Sequence, residues 1–391
     1  METTLNNNVL TVCLSGRIDA NNSAQIENEL FAAIDGVNAA DVVVDAKNLE
    51  YISSAGLRIL MKLRKRINKK IQIINVSRDV YDIFETTSFT ELFDVQRAMR
   101  EVSVEGCEVI GHGYCGTVYR LDEETIVKVY ESTDCLPMIQ NEQHLAKLAF
   151  VKGVPTAISY DTVKVGDSYG SVFELLQANT FNDLLIEDPD DLDALLHRYV
   201  DFLKTVHSAE MDAGSLPMAK DLFITYLDSI SNYITGEQLK RLTELITELP
   251  DDLHLIHGDY QMKNIMVVGN EPMLIDMETI STGQPIFDLQ AIYVAYVAFS
   301  EDDPGNLERF FGIPDEMGER IWRKVIEYYF DTTDEKRIYD INCKIRLLAM
   351  VRFLYMIISD DSKNSELGGK RIKRSQDVIA ELVGSVEDLN I

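Results

Sequence analysis

The segments HGDYQMKN (257–264) and LIDME (274–278) bring together side chains whose types and spacing fit one chemistry. Asp259 is followed by Asn264 five positions later and by Asp276 twelve beyond that. Phosphoryl transfer rests mainly on positioning and on neutralising charge. This set supplies a carboxylate to accept a nucleophile's proton, Asp259, and an amide and second carboxylate to hold Mg²⁺ on nucleotide phosphates, Asn264 and Asp276. Each residue alone has an ordinary explanation, since Asp and Asn are common in turns and Asp276 would cap a strand end. The order and spacing of the three carry the reading. His257 and Asp288 are expected to brace the loop by hydrogen bonds rather than to react.

The surrounding pattern shows which elements must hold this set. The runs IMVV and MLID, split by GNEP, form a hairpin that aims Asn264 and Asp276 at one place. Upstream, EVIGHGYCGTVYRLDEETIVKVY alternates as β-strands around a G-x-G-x-x-G-x-V turn. Gly111, Gly113 and Gly116 would let the backbone close over phosphates, with Val118 on the base. A dinucleotide-binding turn needs a helix after its glycines, and a β-type run follows these instead. Lys128 lies ten residues after Val118 among apolar neighbours, where a buried ammonium requires an anionic partner. Glu142, at the start of the helical segment NEQHLAKLAF, suits that pairing better than Glu124 or Glu131. A later strand ends at FELL; it is either another edge strand or, by resemblance to kinase folds, the hinge whose main chain at Glu174 and Leu176 would meet an adenine ring. The segments DLLIEDPDDLDALLHRYVDFLKTVHSAE, GERIWRKVIEYYF and CKIRLLAMVRFLYMII are helical by period.

At 391 residues the chain exceeds what one core usually serves, so two domains are expected. Its net charge of −28 is unevenly placed. Residues 1–105 carry 15 acidic and 12 basic side chains, and the remainder carry 50 and 25. That field opposes nucleic-acid phosphates and favours a cationic substrate. The five cysteines (13, 107, 115, 135 and 343) have no CxxC pairing, which fits reduced thiols in a cytoplasmic protein. Neither a leader nor an apolar stretch of membrane-spanning length is visible.

Residues 1–100 read as strand, helix, strand, helix, strand, helix. Ala24, Ile26, Leu30, Phe31 and Ile34 suit one inward face, and Leu57, Leu60, Met61, Leu63 and Ile67 another. Through LSGRIDANNSAQIENEL, VVVDAKNLEYISSAGLRIL, IQIINV and VYDIFETTSF, this region resembles the STAS family of anti-sigma-factor antagonists. The resemblance implies an α/β sandwich, docking to an anti-sigma-factor-like protein, and a phospho-acceptor serine opening a helix, which is Ser54 here. The family's Asp before that serine is Ser53 in this chain. Helix capping alone would also account for the two serines.

HGDYQMKN followed by LIDMETISTGQPIFDLQ resembles the aminoglycoside phosphotransferase and choline kinase superfamily. The HRD, DFG and APE motifs of eukaryotic protein kinases are absent. The resemblance runs from about Glu108 to Ile292. It implies a two-domain α/β and α+β chain, with a protein-kinase-like bilobal fold over 106–391, its β-rich N-lobe at 106–177 and helical C-lobe at 178–391. It also implies an ATP- and Mg²⁺-dependent kinase acting on a small-molecule hydroxyl. The residues implied are Gly111, Gly113 and Gly116 on phosphates, Lys128 paired with Glu142, Asp259 as base, and Asn264 with Asp276 on magnesium. Where protein kinases have Phe-Gly after the metal-binding Asp, this chain has Met277-Glu278, and Glu278 would add negative field near a cationic acceptor. Two other functions stand beside this one: a protein-directed kinase acting on Ser54, and a non-catalytic nucleotide-sensing scaffold that binds an anti-sigma factor.

Overall fold

The computed structural model describes residues 1–6, 8–37, 41–113, 116–176 and 178–391. Cys115 lies outside them. By contacts the chain divides into one unit of Met1–Val104 with Thr162–Asp167 and a second of Glu105–Asp161 with Ser168–Ile391.

In the first unit, β1 (Glu2–Asn6), β2 (Val9–Ile18), α1 (Ser23–Asp35), β3 (Asp41–Ile52), α2 (Ser54–Ile67), β4 (Gln72–Val76), α3 (Arg78–Thr86), α4 (Phe89–Leu92) and β5 (Asp94–Arg97) follow in turn. The sheet runs β1-β2-β3-β4-β5, with β2 to β5 parallel and β1 antiparallel on the edge. Every residue of β1 is exposed, so it lacks the apolar alternation that would have revealed it. The inner strands pack Leu10, Val12, Val44 and Ile73 against Leu30, Leu60, Leu63 and Phe84 of the helices. Met61 departs from its expected inward place: it is 37 % exposed, while Ile59 is 3 % exposed. The helical period puts Met61 beside Arg58, Lys62 and Lys65 on the outer flank. A short β6 (Arg100–Glu101) ends this stretch and pairs in parallel with Val163 and Lys164, which is why Thr162–Asp167 joins the first unit.

The second unit begins with β7 (Val109–Gly113), β8 (Gly116–Arg120), β9 (Thr125–Tyr130) and α5 (Leu136–Val151). After β10 (Asp161–Val165) comes β11 (Ser168–Glu174). Strands β7, β8, β9 and β11 pair antiparallel in the order β7-β8-β9-β11. Helix α5 starts at Leu136 with Pro137 in its first turn, so Glu142 lies inside the helix and not at its opening. The chain continues with β12 (Asn179–Thr180), α6 (Phe181–Glu187), α7 (Leu192–His207), α8 (Ala219–Ile230) and α9 (Gly236–Thr247). A break at Asp188–Asp191 divides the long helical segment read from sequence, because Pro189 cannot continue a helix.

Next come β13 (Leu255–Ile256), β14 (Ile265–Val268), β15 (Glu271–Leu274) and β16 (Ser281–Thr282). The remaining helices are α10 (Ile286–Tyr293), α11 (Phe299–Asp302), α12 (Asn306–Phe311), α13 (Asp315–Tyr329), α14 (Glu335–Ser359) and α15 (Glu366–Leu382). Helix α14 buries residues on all sides, from Ile338 to Ile358, and forms the spine of this helical region. The site hangs on two pairings, β13 with β16 and β14 with β15, which bracket residues 257–264 and 275–280.

Candidate active site

Lys128 sits in the middle of β9, opposite Val118 on β8 and Ser171 on β11. Directly opposed residues share a sheet face, so Val118 and Lys128 project to the same side. Gly116 is fixed by packing, because a Cβ there would lie 2.1 Å from the Val129 carbonyl oxygen. Gly111 has only an ordinary 3.8 Å approach to Val118. Nothing in the packing of the strands therefore demands glycine at 111. Gly113 pairs with Gly116 across the tip of the hairpin.

The lysine's partner comes from α5. That helix buries Ile139, Glu142, Leu145, Ala146 and Ala149 along one stripe, and Glu142 is the single charged member. The Lys128 ammonium lies 3.4 Å from Glu142 Oε1 and 3.0 Å from Asp276 Oδ1. Tyr130 donates its hydroxyl to Glu142 Oε2 at 2.6 Å. Burial pushes the Lys128 pKa down, but the carboxylates of Glu142 and Asp276 outweigh it and hold the ammonium above its usual range. Burial and the Glu142 charge both push the Tyr130 phenol up, so it stays a donor.

The loop after β13 is held from several directions. Asp288, fully buried at the start of α10, accepts the His257 N–H at 2.9 Å and the Gly258 N–H at 2.6 Å. It also accepts His207 Nε2 at 3.0 Å, and His207 Nδ1 meets the Tyr329 hydroxyl at 2.7 Å. Burial pushes the Asp288 pKa up, yet the His207 hydrogen bond and charge prevail and leave it low. His257 Nδ1 accepts the Asp259 N–H, while Nε2 faces the Ile275 carbonyl, which can only accept. This fixes the neutral Nε2–H tautomer and occupies both ring nitrogens. Thr279 donates to the His257 carbonyl at 2.7 Å. Gly258 has φ +81°, and a Cβ there would lie 2.6 Å from the Thr279 carbonyl, so glycine is required.

Asp259 Oδ2 accepts from Gln261 Nε2 and from Asn264 Nδ2, each at 2.9 Å. Asn264 Nδ2 also donates to the Asp259 carbonyl. With both bonds made through its nitrogen, Asn264 Oδ1 makes no hydrogen bond among the described residues. The Ile275 N–H donates to the Asn264 carbonyl at 2.9 Å and brings the next residue, Asp276, alongside. Asp276 takes the left-handed conformation, φ 62° and ψ 62°, uncommon outside glycine and tolerated by Asp. Lys128, Glu142, Asp276, Asn264 and Asp259 thus form one connected cluster, although Lys128 and Asp276 are 148 positions apart.

Glu174 and Leu176 do not join this hydrogen-bonded cluster. Glu174 ends β11 opposite Thr125, and Leu176 lies just beyond it at the crossing into the helical region, where the Leu175 N–H donates to the Glu124 carbonyl at 2.6 Å. Ser54, in the other unit, is exposed in the first turn of α2, and it is Ser53 that caps the helix by accepting the Ala55 N–H. Sequence reasoning missed Tyr130, His207, Gln261, Thr279 and Arg352, which donates to the Gly258 carbonyl at 2.5 Å. Tyr130 had a usable signal, being two positions from Lys128 and so on the same strand face. Arg352 had none, lying on a helix far along the chain.

A fixed ammonium, two carboxylates and an amide, drawn from β9 and from the loops before β14 and after β15, are the groups that phosphoryl transfer uses. Residues 106–323 match the phosphotransferase enzyme family, and residues 1–102 match the STAS domain. The chain belongs to the phosphotransferase enzyme family and carries an N-terminal STAS domain. Over 90 residues it is 33 % identical to the putative anti-sigma factor antagonist BtrV of Bordetella bronchiseptica, covering 22 % of this chain and 77 % of that protein. Among solved structures it is similar to a thermostable mutant of aminoglycoside phosphotransferase APH(4)-Ia, with TM-score 0.50, 13 % identity, and 72 % and 94 % of the two chains covered. It is also similar to ADP-bound aminoglycoside phosphotransferase APH(2'')-Ib, with TM-score 0.47, 19 % identity, and 77 % and 98 % covered. The second unit has the protein-kinase-like bilobal fold. No helix among the described residues is long and apolar enough to cross a membrane.

Proposed function

We propose that this chain transfers the γ-phosphoryl group of ATP to a hydroxyl of a small molecule, with the STAS domain as a regulatory or docking module. The observation that carries the reading is the Lys128–Asp276 contact, which joins the β9–α5 pair to the segment after β15, itself bonded to Asn264 through the Ile275 N–H. In this reading Lys128, oriented by Glu142, neutralises phosphate charge. Gly111, Gly113 and Gly116 line the triphosphate, Val118 the base, and the main chain at Glu174 and Leu176 the adenine edge. Asp259 takes the acceptor's proton as the acceptor oxygen bonds to the γ-phosphorus and the bond to ADP breaks.

The donor set suits Mg²⁺. Asn264 Oδ1 has no hydrogen-bond partner among the described residues, and Asp276 is 39 % exposed at its side chain. No group of three or more His, Cys, Asp and Glu forms a metal cage among the described residues, but Mg²⁺ arriving with phosphates needs only one or two protein oxygens. Bound there, it would neutralise charge on the transferred group. Asn264 is oriented for this by its bonds to Asp259.

Incubating the purified chain with Mg²⁺ and γ-labelled ATP or GTP, with and without hydroxyl acceptors, tests the proposal. Acceptor-dependent label that disappears in Asp259→Ala supports it. A second reading is favoured by Ser54, whose exposed hydroxyl makes no hydrogen bond among the described residues: the kinase would act on this serine in a signalling relay. Label on Ser54 that requires Asp259 would establish that reading. Absence of any turnover or label would leave a nucleotide-sensing scaffold docking to an anti-sigma-factor-like protein.

A further inference from the structure

Beside the candidate base lies a polar cluster that the scheme above does not use. Arg352, on α14, spends one N–H of its guanidinium on the Gly258 carbonyl, the group immediately before Asp259. Among the described residues its Nε and Nη2 make no hydrogen bond and it forms no ion pair, in a chain that carries 65 acidic side chains. Arg352 is half-buried, so these donors are reachable from solvent. Tyr355, three residues on along α14, stacks on Tyr226 of α8, with ring centroids 4.2 Å apart and planes 21° from parallel. Burial pushes the Tyr226 phenol up and the Arg352 charge pulls against it, which puts the guanidinium within electrostatic reach of that ring. Neither phenol has a hydrogen-bond partner among the described residues, and both residues are half-buried.

We propose that Arg352, Tyr226 and Tyr355 form the acceptor subsite, and that the acceptor carries an oxyanion, a carboxylate or phosphate ester, alongside the hydroxyl that is phosphorylated. This rests on the phosphotransferase reading and adds the substrate class. A guanidinium held by one N–H keeps a planar fork of donors for an oxyanion, and two phenols extend it. The overall acidity favours a cationic acceptor, but long-range charge is screened over about 8–10 Å whereas an unpaired guanidinium next to the reacting loop is not. Local charge therefore decides what binds there. The stacked rings add a flat apolar wall against which a carbon skeleton would lie.

The test uses the full-length protein and two matched acceptor series. One is glycerol, glycerate, glycerol 3-phosphate and 3-amino-1,2-propanediol; the other is glucose, gluconate, glucose 6-phosphate and glucosamine. Two quantities are measured: kcat/KM with Mg²⁺ and ATP, and the thermal shift of the protein with Mg²⁺ and ADP on adding each compound. The expected result is that acids or phosphates exceed the neutral member of their series about 10- to 100-fold in kcat/KM, the size of a charge-assisted hydrogen bond. Arg352→Gln should collapse that ratio, acting on the KM for the acceptor and not on that for ATP. Arg352→Lys keeps a donor for Gly258 but not the fork, and should recover kcat without the selectivity. Tyr226→Phe should lower the ratio a few-fold.

Equal loss with every acceptor in Arg352→Gln, rescued in full by Arg352→Lys, would reduce Arg352 to a brace and overturn the proposal. So would a raised KM for ATP alone, an amine preferred over the acid, or no preference in either turnover or thermal shift. Carboxylate against phosphate within each series identifies the oxyanion. Loss of the phosphotransferase reading itself has a different mark: no Asp259-dependent consumption of ATP with any compound, while the anion-selective thermal shift and its dependence on Arg352 persist.

Discussion

Replacing Lys128 by Met strands a carboxylate. The side chains of Lys128 and Glu142 are 17 % and 9 % exposed, so the pair is largely out of water. Without the ammonium, Glu142 keeps the Tyr130 hydroxyl as its one hydrogen-bond donor among the described residues. Breaking a buried pair by removing one partner costs about 3–5 kcal/mol, because the remaining charge is uncompensated. At about 2–4 °C per kcal/mol for a large domain, the transition of the second unit should fall by roughly 6–20 °C. Adding Glu142→Leu removes the stranded charge and should restore most of that loss, since an apolar pair of similar volume is close to neutral in stability.

Phosphoryl transfer should be lost in both variants, so stability and activity separate. Thermal unfolding by circular dichroism, beside a labelled-ATP assay, reads both. The folded pKa of Lys128 lies above its ordinary 10.5, so its stabilisation is complete below that value and lost only as pH rises through the folded value. Titration of Lys128 itself should therefore add no pH dependence to the difference between wild type and Lys128→Met over neutral pH. A double variant as unstable as the single one, or a single variant that melts like wild type, would refute the reasoning about burial. Retained turnover in Lys128→Met would refute the role in transfer.

Asp259→Ala should lower kcat by about 10²- to 10⁴-fold, the usual worth of a general base, as measured with whichever acceptor is turned over. Gly258→Ala forces a Cβ towards the Thr279 carbonyl at positive φ, and should cost about 1–3 kcal/mol in urea unfolding while also lowering kcat through displaced Asp259. Asp288→Asn should cost about 3 kcal/mol at neutral pH by weakening the hold on His207, His257 and Gly258. Because the folded pKa of Asp288 is depressed, its charge stabilises above the ordinary value of 3.8 and that contribution is lost as pH falls below it. The gap in urea midpoint between wild type and Asp288→Asn should accordingly shrink from about pH 4 downwards; a gap independent of pH would show that the charge is not what matters.

Much of the fold was written locally. Apolar alternation marked β2, β3, β8 and β9, and the helical period marked α1, α2, α7 and α13, because side-chain periodicity is a property of neighbouring residues. Spacing also singled out Asp259, Asn264, Asp276 and Lys128 as a set. Edges were less legible: β1 is exposed throughout, Met61 lies at the flank of its helix, and α5 begins six residues before Glu142. What holds the set together is non-local. Asp288 was recognisable as a brace, but His207 and Tyr329 behind it and Arg352 beside Gly258 come from helices whose own patterns report only burial. The sequence by itself determined the chemistry, since that follows from which groups are present and in what order. Tertiary structure decided their company: a carboxylate meets an ammonium 148 positions away, and a guanidinium with no ion pair among the described residues arrives at the loop from α14. Such meetings depend on how whole helices and sheets pack, which short-range pattern does not encode.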